Sequence, residues 1–256
     1  KFNKREKKKN MIVALMMGRA GSKGFKNKNL IKINGKRLFE YPLTAVKRSR
    51  LVKEIYVTTD CPVIKKISKS YNAKIIDRPK KLKGDKALGD KVFEHGYFEI
   101  KKRLEKRNKK IKYIVLLLAN CATVNTSMIN KGIQILNKNK KFDSAVSTSI
   151  YNMWSPLRAR KLNIDGTLKP FIPLKTFGNI KNLNCDRDSQ GNVFFADMGV
   201  SVVRPKCLEN LESGLLPQKW MGKKIAPIYS DAGFDLDFDW QLPLLKFWIK
   251  KYAGKK

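Results

Sequence analysis

Short apolar runs alternate with helix-patterned stretches through the first half of this chain, and that alternation constrains the fold more than any other feature. Residues 11–17, 54–59, 74–77 and 113–118 read as strands, because each is short, β-compatible and bounded by glycine or polar clusters. The stretches between them, 38–50, 62–71 and 87–107, carry helical spacing. Parallel strands need crossover connections of helix length, so the pattern predicts an α/β fold with a Rossmann-like, mostly parallel sheet flanked by helices. Residues 113–118, the most apolar run, are expected at its centre.

Farther on, a helix is expected over 126–136, capped by Thr126 or Ser127, with helices at 206–212 and 238–252. Residues 144–149, 192–196, 199–203 and 225–229 read as strands. Between 151 and 190 the periodicity weakens among Pro156, Pro170 and Pro173, as in a small arm or hairpin that packs on a partner. A length of 256 residues suits one domain from residue 11 onward, behind a basic extension over 1–10.

The first strand runs into Gly18-Arg19-Ala20-Gly21-Ser22-Lys23-Gly24, with Lys26, Lys28 and Asn29 just beyond. Ligands of open α/β sheets bind at the carboxyl ends of strands. Glycines let the backbone approach a phosphate chain, successive N–H groups can form an anion-binding nest, and Arg19, Lys23, Lys26 and Lys28 add cationic donors. The chemistry suggested is a polyphosphate cradle. The glycine spacing fits neither a Walker A loop nor a dinucleotide fingerprint, and a surface turn in a Lys-rich chain would share this composition. Spacing alone leaves the loop unassigned.

Near the other end, residues 231–239 hold Asp231, Asp235, Asp237 and Asp239 and no cation. Asp235 and Asp237 flank one apolar residue, so in extended backbone they point to one face and repel unless positive charge lies between them. A hard divalent cation fits that place, and magnesium binds through one or two carboxylates plus substrate phosphates. Capping of the closing helix by Asp237 or Asp239 is the alternative.

The formal charge of +35 invites a nucleic-acid reading, but the lysines are spread along the chain. The densest runs, 1–9, 101–112 and 138–141, have no interleaved aromatic platform for bases, so they read as solvated faces that help gather anionic substrates. Cys61, Cys121, Cys185 and Cys207 include no Cys-x-x-Cys pair and read as reduced thiols. A single histidine, His95, nearly excludes Ser-His or Cys-His chemistry. No stretch approaches the ~18 apolar residues of a membrane span, and the apolar run ending at Gly18 is too short for a signal peptide, which predicts a cytoplasmic protein.

The pattern Arg19-x-Gly21-Ser22-Lys23-Gly24-x-x-x-Lys28-Asn29 after a first strand resembles the signature of the acylneuraminate cytidylyltransferases, which make CMP-sialic acid and related CMP-activated nonulosonic acids. Phe234-Asp235-Leu236-Asp237 resembles the magnesium-binding Asp-x-Asp that ends their last strand. Thr58-Thr59-Asp60, Arg78-Pro79-x-x-Leu82-x-x-Asp85 and Ser155-Pro156-Leu157-Arg158 are weaker matches. The resemblance implies transfer of CMP from CTP to a sugar acid, with Mg2+, in a homodimer whose 151–190 arm reaches the neighbouring subunit's site.

By the same resemblance, Gly18, Arg19, Ala20, Gly21, Ser22, Lys23, Lys28, Asn29, Arg78 and Asp85 would bind the nucleotide. Arg19 and Lys28 would polarise its phosphates, and Asn29 with Arg78 would hold the cytidine. Asp235 and Asp237 would bind the metal and, with Arg19 and Lys28, form the catalytic set. Arg158 and Arg187 would meet the sugar, Arg187 one position away from the family's arginine, and Asn120 would supply an amide. The chain departs from the family at Leu118-Ala119-Asn120-Cys121-Ala122, where Gln-Pro-Thr-Ser-Pro is usual, at Met198-Gly199 in place of Asn-Gly, and at Lys86, Leu88 and Gly89. Another sugar nucleotidyltransferase of the same fold and a non-catalytic nucleotide or nucleic-acid binder are the rival readings.

Overall fold

The computed structural model describes residues 8–21, 25–84, 87–184, 186 and 191–252. Ser22, Lys23, Asp85 and Arg187, all expected at the site, lie outside the described residues. The chain builds β1 (Lys9–Met17), β2 (Lys32–Ile33), β3 (Lys36–Arg37), α1 (Glu40–Lys47), β4 (Glu54–Thr58), α2 (Pro62–Ser70), β5 (Ala73–Ile76) and α3 (Gly89–Glu105). It continues with β6 (Lys109–Leu118), α4 (Thr126–Lys138), β7 (Ser144–Ile150), β8 (Arg160–Leu162), β9 (Leu168–Pro170), β10 (Phe194–Val203), α5 (Lys206–Glu209), β11 (Ile225–Tyr229) and α6 (Leu242–Tyr252).

Seven strands form one sheet in the order β11-β7-β10-β6-β1-β4-β5, so the most apolar strand does lie at the centre. All neighbours pair in parallel except β10, which runs antiparallel to both β6 and β7. Side chains alternate across each strand. Ala14 and Met16 therefore pack into one layer with Leu43, Ile64, Ile129 and Trp248, while Val13 and Leu15 pack into the other with Phe93, Tyr97 and Leu208. Burial on both faces is why β1 and β6 are continuous apolar runs. β8 and β9 form a separate hairpin within the 151–190 stretch. No helix among the described residues is long and apolar enough to cross a membrane.

Besides end shifts such as β6 starting at Lys109 and α5 ending at Glu209, three differences from expectation bear on the architecture. The cap of α4 is Asn125, whose Oδ1 accepts the Met128 N–H at 3.0 Å, one residue before the expected Thr126 or Ser127. The strands expected at 192–196 and 199–203 are a single strand, β10, whose register breaks between Ala196 and Ser201 at a bulge where Met198 has φ of 63°. The closing helix starts at Leu242, after a 3-10 turn over Asp239–Gln241, with Pro243 in the first helical turn, where its missing N–H has no cost.

The strand order positions the site. From β1 the chain moves through β4 and β5 on one side and then returns to place β6 on the other. The carboxyl ends of β1 and β6 thus flank the point where strand order reverses, which opens a crevice. Gly18 N–H donates to Thr58 O at 3.2 Å, and Ala119 N–H donates to Met17 O at 2.9 Å. These bonds draw Gly18 so close that an added Cβ would lie 2.6 Å from the Ala119 Cβ and 3.3 Å from Ile64 Cδ1. Gly18→Ala should therefore destabilise the fold by about 1–3 kcal/mol, the usual scale for overpacking. The check is a lower urea midpoint at unchanged slope; an unaltered midpoint would show that the strand ends part without strain.

Candidate active site

The crevice is a cleft of about 250 Å³ whose walls include Gly18, Arg19, Lys28, Asn29, Arg78 and Asn120. Gly18 and Arg19 continue β1. Asn27 takes the left-handed conformation (φ 55°), which Asn tolerates, and turns the chain into a 3-10 turn over Lys28–Leu30. That turn buries Asn29, whose Nδ2 donates to Arg19 O at 3.1 Å and ties the two limbs of the loop together. Ala20 N–H donates to Asp60 Oδ1 at 2.9 Å, so the residue ending the Thr58-Thr59-Asp60 match anchors the loop to the sheet. Gly21 follows with φ of 63°, a conformation suited to glycine.

Arg78 is buried beneath this loop. Its Nη2 donates to Gly18 O and Thr58 O, each at 2.8 Å, and its Nε donates to Thr58 Oγ1 at 3.1 Å. Burial lowers its pKa, with Asp60 opposing the shift. The guanidinium expected to hold cytidine is thus also the brace that keeps the ends of β1 and β4 together under the cleft floor.

Asp235 and Asp237 follow β11 and reach the cleft through two wall residues. Lys28 Nζ pairs with the Asp237 carboxylate, and Asn120 Nδ2 donates to Asp235 Oδ2 at 3.0 Å. Thr123 Oγ1 bonds both the N–H and the carbonyl of Phe234, each at 2.9 Å, and Leu236 N–H donates to Asn120 O at 2.9 Å. Gln241 Oε1 accepts the N–H groups of Asp237 (2.7 Å) and Phe238 (2.9 Å). Of the two capping candidates, Asp239 takes the local role, accepting Trp240 N–H at 2.8 Å, whereas Asp237 turns to Lys28.

Burial, followed by the charge of Asp237, pushes the Asp235 pKa above the usual carboxylate range, against the pull of Lys28 and Asn120. The ammonium of Lys28 supplies the positive charge this pair requires. Among the described residues no group of three or more His, Cys, Asp or Glu side chains could hold a metal. A cation at Asp235 and Asp237 would therefore complete its shell with water or a bound phosphate, a donor set that fits magnesium.

A second cleft, of about 570 Å³, lies on the other side of Asp235, walled by Tyr151, Trp154, Phe195, Trp240 and Trp248. Arg158 sits in the 3-10 turn over Pro156–Arg158 and lines neither cleft. Sequence reasoning passed over Thr123, Ser149 and Asp197, which hold the carboxylate segment in place, and Ser147, which binds Asp197 from the side of the β10 bulge. The traces were legible: Ser147 and Ser149 alternate on one face of a strand of small residues, and Asp197 interrupts an apolar strand.

Fold and cleft define a class: a Rossmann-like α/β protein whose cationic loop and carboxylate pair meet at the topological switch point. Residues 13–153, more than half of the chain, match the cytidylyltransferase family, and the chain belongs to that family. It is 36% identical over 84 residues to an N-acylneuraminate cytidylyltransferase of Escherichia coli O18:K1:H7, a match covering 33% of this chain and 20% of that protein. It is 27% identical over 151 residues to a bifunctional pseudaminic acid cytidylyltransferase and UDP-sugar hydrolase of Helicobacter pylori, covering 59% of this chain and 28% of that protein. A CMP-N,N'-diacetyllegionaminic acid synthase of Campylobacter jejuni matches at 36% over 64 residues, 25% of this chain and 27% of that protein. The chain thus spans less than a third of the length of these curated relatives. In fold it resembles CMP:2-keto-3-deoxy-manno-octonic acid synthetase complexed with CTP, with a TM-score of 0.66 at 13% identity over 94% of this chain and 99% of that one.

The raised pKa of Asp235 carries a signed consequence. The folded protein retains a proton there at pH values where the unfolded chain has released it, so this group makes stability fall as pH rises from the ordinary carboxylate value through the folded one. Asp235→Asn should flatten that part of the profile, measured as urea midpoints from about pH 4 to about pH 7. An identical slope in the variant would refute the assignment.

Proposed function

We propose that the chain is a magnesium-dependent cytidylyltransferase that transfers CMP from CTP to the 2-hydroxyl of a sialic-acid-like nonulosonic acid and releases pyrophosphate. The observation that carries this reading is the meeting of opposite charges at the edge of one cleft: Arg19 and Lys28 from the end of β1 line it, Asp237 from beyond β11 pairs with Lys28, and Asp235 is held by the cleft's wall residue Asn120. Family membership and the named relatives support the same chemistry.

Phosphoryl-type transfer needs positioning and charge neutralisation more than covalent catalysis. In this reading Arg19 and Lys28 bind the triphosphate and offset charge that builds on the departing pyrophosphate. Asn29 and the braced Arg78 shape the end of the cleft that takes the cytidine. Asp235 and Asp237 would hold magnesium, which when bound supplies neutralising charge at the phosphates. Entry of an anionic substrate would draw Lys28 from Asp237 to phosphate and so free that carboxylate. Asn120 fixes the orientation of Asp235. Arg158, and Arg187 outside the described residues, would hold the sugar carboxylate, ideally through a bidentate pair. A homodimer is part of the reading: Met153, Trp154, Leu162, Leu168 and Phe171 of the arm are exposed, as suits residues that a second subunit covers. A CTP-consuming reaction also suits the cytoplasm.

The deciding experiment is pyrophosphate release from CTP across a panel of nonulosonic acids, with and without magnesium, with other NTPs as competitors. Asp237→Asn and Lys28→Ala should each lower turnover by about 10² or more, the scale for losing one transition-state charge contact. Near-normal release by either variant would remove the role given to it. Preference for another NTP would favour a different sugar nucleotidyltransferase, and CTP binding without release would favour a non-catalytic binder.

A further inference from the structure

Asp197 lies on β10 and is only 4% exposed. A buried carboxylate without a cation is expensive, and the partners around this one are hydroxyls and a backbone N–H. Ser147 Oγ donates to Oδ1, Ser149 Oγ donates to Oδ2 at 2.7 Å, and Gly199 N–H donates to Oδ1 at 3.1 Å. Burial pushes the Asp197 pKa up, and the hydrogen bonds from Ser147, Ser149 and Gly199 oppose that shift. Ser149 Oγ also lies 3.3 Å from Ser230 O. A serine hydroxyl that donates to Asp197 keeps its lone pairs for other donors. Ser147 Oγ accepts Val200 N–H at 2.9 Å, and Ser149 Oγ accepts Gly233 N–H at 2.9 Å.

The two arms end in different places. The Ser147 arm returns to the bulge of β10, its own neighbourhood, where Met198 at φ 63° turns the Gly199 N–H inward. The Ser149 arm ends two residues before Asp235. The contact is tight enough that a Cβ on Gly233 would stand 2.4 Å from Asp197 Oδ2. Tyr151 Oη adds a bond to Gly233 O at 3.1 Å, and Trp248 Nε1 adds one to Asp231 O at 2.7 Å.

We infer that Asp197, acting through Ser149, is a positioning residue that sets the backbone of residues 233–235 and thereby aims the Asp235 carboxylate at the cleft. Its functional part rests on the cytidylyltransferase reading; the positioning of the segment does not. Asp197 accepts from both serines at once, a pattern that an amide with one oxygen and one N–H2 group does not reproduce. In Asp197→Asn the side chain keeps its shape but presents an N–H2 group to one serine, which must reverse its hydroxyl or lose the bond. If Ser149 reverses, it meets Gly233 N–H donor to donor.

The test compares wild type with Asp197→Asn, Ser149→Ala and Ser147→Ala by amide hydrogen exchange across 233–234, by Mn2+ titration of the CTP-bound protein followed by electron paramagnetic resonance, and by steady-state pyrophosphate release. Asp197→Asn and Ser149→Ala should speed exchange at 233–234 and weaken Mn2+ about 10- to 100-fold, the range for losing a group that orients a metal ligand. They should lower kcat while the KM for CTP stays within about twofold, because the cationic loop is untouched. The double variant should be no worse than Asp197→Asn alone, since both act through one arm. Ser147→Ala should leave exchange at 233–234 near wild type, which separates a directed arm from a general structural staple. Ser149→Ala, which removes a single oxygen, carries the test if Asp197→Asn folds poorly. Equal effects of the two serine variants, or wild-type exchange in Ser149→Ala, would overturn the inference. A wild-type protein that binds no CTP and releases no pyrophosphate, with the exchange pattern intact, would overturn the cytidylyltransferase reading and leave the positioning of the segment standing.

Discussion

Two carboxylates one residue apart, the first drawn into a partly buried position, cannot remain side by side without a counter-charge. In this protein Lys28 supplies it, and the ion pair with Asp237 joins segments 209 residues apart. The pairing fixes which ends of the chain must come together. The loop after β1 has to face the segment after β11, although these strands lie four places apart in the sheet, on opposite sides of β6. The long cationic side chain of Lys28, and Asn120 at the end of β6, close that distance. A salt bridge with an exposed partner adds little to folding stability. Its place in this site is electrostatic: it holds an ammonium from the loop after β1 against a carboxylate from beyond β11.

Much of this was legible in the sequence because it rests on local rules. Apolar runs of strand length separated by helical spacing give a parallel sheet whichever side chains fill it, and the most apolar run takes the centre because central strands are buried on both faces. The Gly18 to Asn29 segment could be placed at a strand end for the same reason. Its assignment to a nucleotide came from the resemblance, since glycine spacing left it open. Asp235 and Asp237 stood out as carboxylates concentrated in a strongly basic chain.

What could not be read depends on distant contacts. Nothing in the local sequence of Arg78 says that three of its hydrogen bonds go to the carbonyls and hydroxyl of two strands more than 15 residues away. The antiparallel insertion of β10 between β6 and β7 is a topological choice without a periodicity signal. Its bulge divides one strand into what reads as two, because residues 197–199 break the apolar alternation. Asp197 reads as an intruder in a strand until its serine partners, some 50 residues earlier, are placed beside it.

The altered loop after β6 takes a different meaning in this setting. Where the family usually has a proline-bounded turn, rigidity here comes from hydrogen bonds. Ala119 N–H binds Met17 O, Cys121 N–H binds Leu118 O, and Thr123 grips Phe234 through both its N–H and its carbonyl. The same turn gives Asn120, whose backbone holds Leu236 and whose amide holds Asp235. Prolines stiffen a turn by restricting its own dihedrals, whereas these bonds stiffen it by fastening it to the carboxylate segment. The second arrangement couples the two: a displacement of 119–123 is transmitted to Asp235, and the Ser149 arm from Asp197 opposes it from the other side. At 198, where the family usually has Asn, Met stands in the left-handed backbone that favours Asn. Loop and bulge differ from the family pattern in side-chain identity, while in this protein the backbone of Asn120 and the hydroxyl of Thr123 hold the segment that carries Asp235.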